Sequence, residues 1–225
     1  MLRYVIKWAL ATLLVVTCNE AMAQWAVGLR GGWTSTTISR YDGGRMDESY
    51  SALSGKEVGL QGRYSVNDWF AVRANLSLMQ RSHRMDRNLN YLDPVYTEHI
   101  NSYLMLPVMA DFSFGGNRLR GHLLAGCYAG YWLSERRRGT TYWMTDYYVY
   151  FEPFDELREM TVEDQRLNAG AAFGAALSYA FGKWELGVDA IYYYDITSHH
   201  KGTPHLADPR YLNTLALTLN INYCL

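Results

Sequence analysis

Long apolar runs are missing from this chain, and so are the compact motifs on which most enzyme sites are built. The apolar stretch near its start, Trp8 to Val16, falls far short of the roughly 20 residues a membrane-spanning helix needs. Cysteine is scarce, with three copies and no C-x-x-C spacing, which excludes a zinc knuckle or a thioredoxin-type site. Charge of one sign is lacking too: 21 Lys and Arg face 22 Asp and Glu, so there is no electrostatic footprint for nucleic acid. No Pro-rich or Ser-rich linker divides the chain. It contains no G-x-S-x-G, P-loop, dinucleotide fingerprint or H-E-x-x-H, and nothing implies a cofactor.

What is present points to export. Arg3 and Lys7 precede the short apolar run, and Ala21-Met22-Ala23 stands before Gln24, the pattern of a signal peptide over residues 1–23. "LVVTC" loosely resembles a lipoprotein box, but Thr17 stands where such boxes use Gly, Ala or Ser. Residues 24–225 then form one β domain. Aromatics make up 15% of the chain, 19 of them Tyr, although its mean hydropathy is −0.21. Tyr and Trp favour the water boundary of a bilayer, where one end of the ring is apolar and the other wet.

Period-two alternation predicts eight strands, at 25–34, 56–66, 70–80, 100–114, 118–133, 166–181, 184–195 and 211–225. In the seventh, Trp184, Leu186, Val188 and Ala190 alternate with Glu185, Gly187 and Asp189. The connections at 67–69, 115–117 and 182–183 are tight, whereas those at about 35–54, 81–98, 134–164 and 196–210 are long and polar. Strict alternation of long and short connections is the signature of an outer-membrane barrel, with short periplasmic turns and long external loops. The expected fold is therefore all-β: an eight-stranded antiparallel up-and-down transmembrane β-barrel in the outer membrane of a Gram-negative bacterium.

"YLMLPVMADFSF" at 103–114, "LLAGCYAGYWL" at 123–133, the hairpin at 166–197 and the closing "LALTLNINYCL" resemble the outer-membrane β-barrel domain family that includes PorT-like proteins. The resemblance implies a barrel with an envelope-related role, type IX secretion among the candidates. Asp111 and Asp195 stand where it implies a basic residue and a glycine, and Leu225 where barrel assembly signals end in Phe.

Three groups of residues could carry function. Arg63, Arg73, Asp111, His122 and Glu185 are expected to face the lumen near the periplasmic turns, with Arg30, Glu57 and Asp189 in a second layer above them. An eight-stranded lumen is just wide enough for side chains to fill, which makes these charges structural struts. His199, His200 and His205, near Asp195, Ser198 and Asp208, offer a rim enzyme acting on lipid or peptide, although solvated loop histidines are the stronger reading of them. Finally, Arg136, Arg137 and Arg138 sit where lipid headgroups or lipopolysaccharide would lie. Beyond them Tyr142, Trp143, Tyr147, Tyr148 and Tyr150 alternate as if the fifth and sixth strands continued outward as a hairpin. That tip is either a partner-binding surface or a loop whose rings pack on one another. A non-enzymatic barrel, anchored in lipid and interacting through its external loops, is the leading expectation. A soluble periplasmic carrier is the other alternative.

Overall fold

A computed structural model describes residues 25–40, 48–87, 95–144, 148–161, 164–198 and 210–225. The signal peptide expected over 1–23, Tyr147, and the loop residues His199, His200, His205 and Asp208 lie outside the described residues.

The tight turns set the lower rim. Gly182 closes one with φ of 63°, and Gly115 another with φ of 120°, values that L side chains rarely adopt. At the third, the side chain of Asn67 accepts the N–H groups of Trp69 at 3.1 Å and Phe70 at 2.7 Å, an Asx turn. From these turns rise the strands β1 (Trp25–Arg40), β2 (Glu48–Ser65), β3 (Phe70–Arg87), β4 (Val95–Gly115), β5 (Leu119–Met144), β6 (Val149–Arg158), β7 (Leu167–Phe181), β8 (Trp184–Asp195) and β9 (Arg210–Cys224). Eight of them form an antiparallel ring, β1-β2-β3-β4-β5-β7-β8-β9, which closes where β9 pairs with β1 from Ala26↔Cys224 to Arg40↔Arg210. The expected sixth, seventh and eighth strands are β7, β8 and β9.

The ninth strand arises above the ring. β5 runs for 26 residues. Its lower part pairs with β7 from Leu119↔Tyr179 to Tyr131↔Leu167, and its upper part with β6 from Glu135↔Arg158 to Met144↔Val149. Much of what the sequence suggests to be long loops is therefore strand. An 18-residue strand such as β2 extends about 60 Å at roughly 3.3 Å per residue, twice the ~30 Å hydrocarbon core. The ladders continue into water because a β pair satisfies its own backbone groups wherever it lies.

Faces alternate without a break along β8, where Glu185, Gly187, Asp189, Ile191, Tyr193 and Asp195 are buried and the residues between them are not. The outward face is apolar and exposed, as at Leu60, Val58, Leu217 and Leu219. Aromatic pairs gird its lower edge, with ring centroids of Trp25 and Tyr64 4.8 Å apart, Phe70 and Phe112 5.4 Å, and Trp184 and Tyr223 5.1 Å. Trp33, Tyr131 and Tyr194 stand on the outer face toward the other end. The inward face is less uniformly polar than the alternation suggests. Met79, Tyr103, Met105, Leu124, Ile191 and Tyr193 pack inside the ring, so charges and apolar groups share the lumen.

Candidate functional site

Inward side chains of opposite charge meet across the barrel. At the bottom Arg63 of β2 donates both terminal nitrogens to Glu185 of β8, at 2.9 and 2.7 Å. Next to it Arg73 of β3 donates to Asp111 of β4 at 2.6 Å and to Asp189 of β8 at 3.3 Å. His122 of β5 sits 2.8 Å from the other oxygen of Asp111 and 2.9 Å from Ser178 of β7. Arg30 lies 3.2 Å from Glu57 and donates to Thr218 at 3.1 Å. Asp189, expected in the layer of Arg30 and Glu57, stands across from Thr218, to which Arg30 donates, and its own bond is to Arg73, which is long enough to reach across from β3 to β8.

A second cluster, marked by no sequence motif, lies higher. Arg81 is fully buried and donates to Asp195 at 2.6 Å, Thr214 at 2.9 Å and Asn168 at 3.1 Å, and also to the carbonyl of Leu212. Asp195 further accepts from Asn168 at 2.8 Å, from the N–H of Leu212 at 3.2 Å and from the Tyr128 hydroxyl. A Cβ at Gly170 would come within 2.7 Å of the Tyr128 ring, so glycine is what admits that ring. Asp195 is thus a lumen residue ending β8 rather than part of a loop site. The signal lay in the parity: Arg81 continues the inward set of Arg73 one residue past the expected strand end at 80, and Asp195 that of Asp189 at the last residue of its expected strand.

Above the apolar belt, Glu135 accepts from His99, Arg137 and Arg158, each at 2.8 Å. Arg158 also donates to Asp164 at 2.9 Å. Burial alone would raise the Glu135 carboxyl, but the hydrogen bonds from His99, Arg137 and Arg158 outweigh it and hold the group well below its ordinary value of 4.5. Asp164 is lowered too: burial opposes this, and the Thr161 N–H and Arg158 prevail. A lowered carboxylate contributes stability that is present above the unfolded value and lost as pH falls toward the folded one. The opening free energy of β6, read from hydrogen exchange corrected for intrinsic rates, should therefore hold between pH 7 and pH 5 and decline below about 4.5. Glu135→Gln should be weaker at pH 7 and show a smaller decline.

Arg136, Arg137 and Arg138 are each engaged by a carboxylate. Arg136 holds Asp155 through two bonds, at 2.6 and 2.7 Å, and Arg138 holds Glu98 at 2.6 Å. The hydrogen bond and charge of Glu98 raise Arg138, and those of Asp155 raise Arg136. The run forms an ion-paired ladder up the β4-β5-β6 wall rather than an open anion site. Farther out, Trp143, Tyr148 and Tyr150 are exposed and Tyr142 half-buried. Trp143 donates to Glu152 at 3.2 Å, and the Tyr148 and Tyr150 rings lie 6.1 Å apart. Cys127 and Cys224 are free thiols. Among the described residues no group of three or more His, Cys, Asp or Glu side chains could hold a metal ion.

A closed antiparallel ring with an apolar exterior, aromatic edges and paired charges inside is the architecture of outer-membrane barrels. The family model "Outer membrane protein beta-barrel domain" matches residues 19–201. The chain belongs to this family. The crystal structure of the outer membrane protein OprG from Pseudomonas aeruginosa is similar at a TM-score of 0.50 and 12% identity, covering 90% of this chain and 96% of that one. Neisserial surface protein A is similar at 0.44 and 13% identity, covering 88% and 96%. Ail, the attachment invasion locus protein of Yersinia pestis, is similar at 0.42 and 15%, covering 89% and 99%. No curated protein matches. At these identities OprG supports the fold alone. The barrel is an outer-membrane protein of a Gram-negative bacterium.

Proposed function

We propose that this is a non-enzymatic outer-membrane barrel whose lumen pairs brace the wall and whose β5–β6 hairpin is its contact surface for an envelope component. One observation carries the reading: β6 lies outside the ring, paired among the described residues to β5 alone, and its hairpin leaves Trp143 and Tyr148 about two-thirds exposed. Large amphipathic rings at a projecting tip supply contact area at low conformational cost. The resemblance to PorT-like proteins extends the proposal to a secretion- or envelope-related assembly, with protein or lipopolysaccharide as the contact.

The enzyme alternative has one feature in its favour. Ser178, His122 and Asp111 are bonded in the order of a hydrolase triad. They converge inside the wall, not at the rim. Ser178 and its neighbours are paired in the ladders to β5 and β8, which leaves no obvious pair of backbone donors for an oxyanion hole, and Arg73 holds the same Asp111. This arrangement supports a brace.

The test is a photo-crosslinking residue placed at Tyr150 in intact cells. One dominant adduct should form, and the combined variant Trp143→Ser, Tyr148→Ser should abolish it while the folded barrel still migrates apart from its boiled form. An adduct indifferent to loss of both rings would overturn the reading.

A further inference from the structure

The upper edge of the apolar belt differs from one wall to the other. On β1–β5 the belt ends in a polar rung: Trp33 faces Lys56 across β1 and β2, Gln80 faces Ser102 across β3 and β4, and Ser102 faces Ser134 across β4 and β5. Lys56 meets this rung beside the β2–β3 irregularity between Ala52 and Glu57. One rung below, Leu219, Gly31, Val58, Leu78 and Leu104 follow one another around the wall without a polar side chain. On the opposite wall, Tyr194, Ile196 and Leu167 carry the exposed apolar surface to the strand ends.

The two rungs enclose a groove of about 750 Å³ on the outside of the barrel. Small residues recess it, with Gly31 at one end and Ser102 and Ser134 at the other, while Trp33 and Leu133 stand up along it. Lys56 is exposed at its lip and has no carboxylate partner among the described residues. The arginines higher on this face differ: Arg136 and Arg138 are both neutralised by carboxylates. A cation at the head of an apolar channel is matched by an anion that carries apolar chains.

We propose that this groove seats a phosphorylated acyl glycolipid of the outer leaflet. Its phosphate meets Lys56, with Gln80, Ser102 and Ser134 as hydrogen-bonding neighbours, and an acyl chain lies along Val58 and Leu78. The leaflet follows from position, since the rung lies at the end of the belt away from the three tight turns, toward the long external connections. The proposal rests on the outer-membrane placement and not on the hairpin.

Native mass spectrometry of the detergent-extracted barrel, titrated with diphosphorylated lipid A, tests it. The wild type should retain one lipid A per barrel, and Lys56→Gln should weaken retention about fivefold, the effect of one lysine beside an anionic headgroup. Ser102→Trp, which fills the recess and leaves Lys56 in place, should abolish retention. Both side chains point away from the lumen, so each variant should keep its heat-modifiable band. Equal retention of dephosphorylated lipid A, or retention unchanged in either variant, would overturn the site. Equal retention of phosphatidylglycerol would overturn the glycolipid assignment.

Discussion

Asp195→Ala should destabilise the barrel by about 3–5 kcal/mol, the range for removing one partner of a buried ion pair. Asp195 accepts from Arg81, Asn168, Tyr128 and the Leu212 N–H, and truncating it leaves the Arg81 guanidinium, whose side chain is 0% exposed, without a counter-charge. The loss should appear as a lower urea midpoint for conversion of the folded band to the unfolded one in lipid vesicles. The companion variant Asp195→Ala with Arg81→Met should recover most of it, because replacing a buried pair by apolar groups of similar size is often neutral. If Asp195→Ala alone moves stability by less than about 1 kcal/mol, the cluster is not dry and the lumen is not filled at this height.

Leu60→Arg should cost about 2–4 kcal/mol, as expected for a basic residue on the lipid face near the bilayer midplane. Leu60 pairs with Leu29 and Leu76, midway between the aromatic edge at Trp25 and Tyr64 and the polar rung at Trp33 and Lys56. Ser134→Arg, on the same outer wall but at that rung, should cost only about 0–1 kcal/mol, since the penalty falls with distance from the midplane. Depth dependence of this kind has no counterpart in a soluble barrel. A neutral Leu60→Arg would mean that β2 sits one residue out of register, with Gln61 toward lipid and Leu60 inside.

Most of the ring was legible in the residues themselves. Alternation along 184–195 assigned Glu185 and Asp189 inward and Leu186 and Val188 outward, and the burial pattern of β8 has that parity. Strand ends were less legible, because polar residues such as Arg84 and Glu98 fit an exposed loop and an exposed ladder equally well, and here they face one another across β3 and β4. The Arg81–Asp195 cluster was missed for a related reason: Arg81 falls one residue past the point at 80 where apolar alternation fades, and Asp195, the last residue of its expected strand, reads equally well as the start of the polar loop that follows. The arginine run at 136–138 was legible as charge but not as pairing, since the partners of Arg136 and Arg138, Asp155 and Glu98, come from other strands.

The sequence by itself determined the strand parity, the tight turns and the exterior that must meet lipid, because each depends on neighbours one or two residues apart. Only the tertiary structure decided which charges meet across the lumen, where β5 leaves the ring to pair with β6, and where the outer wall is recessed. Arg63 finds Glu185 from 122 positions away, and that meeting depends on the diameter and stagger of a closed ring, which no local pattern encodes.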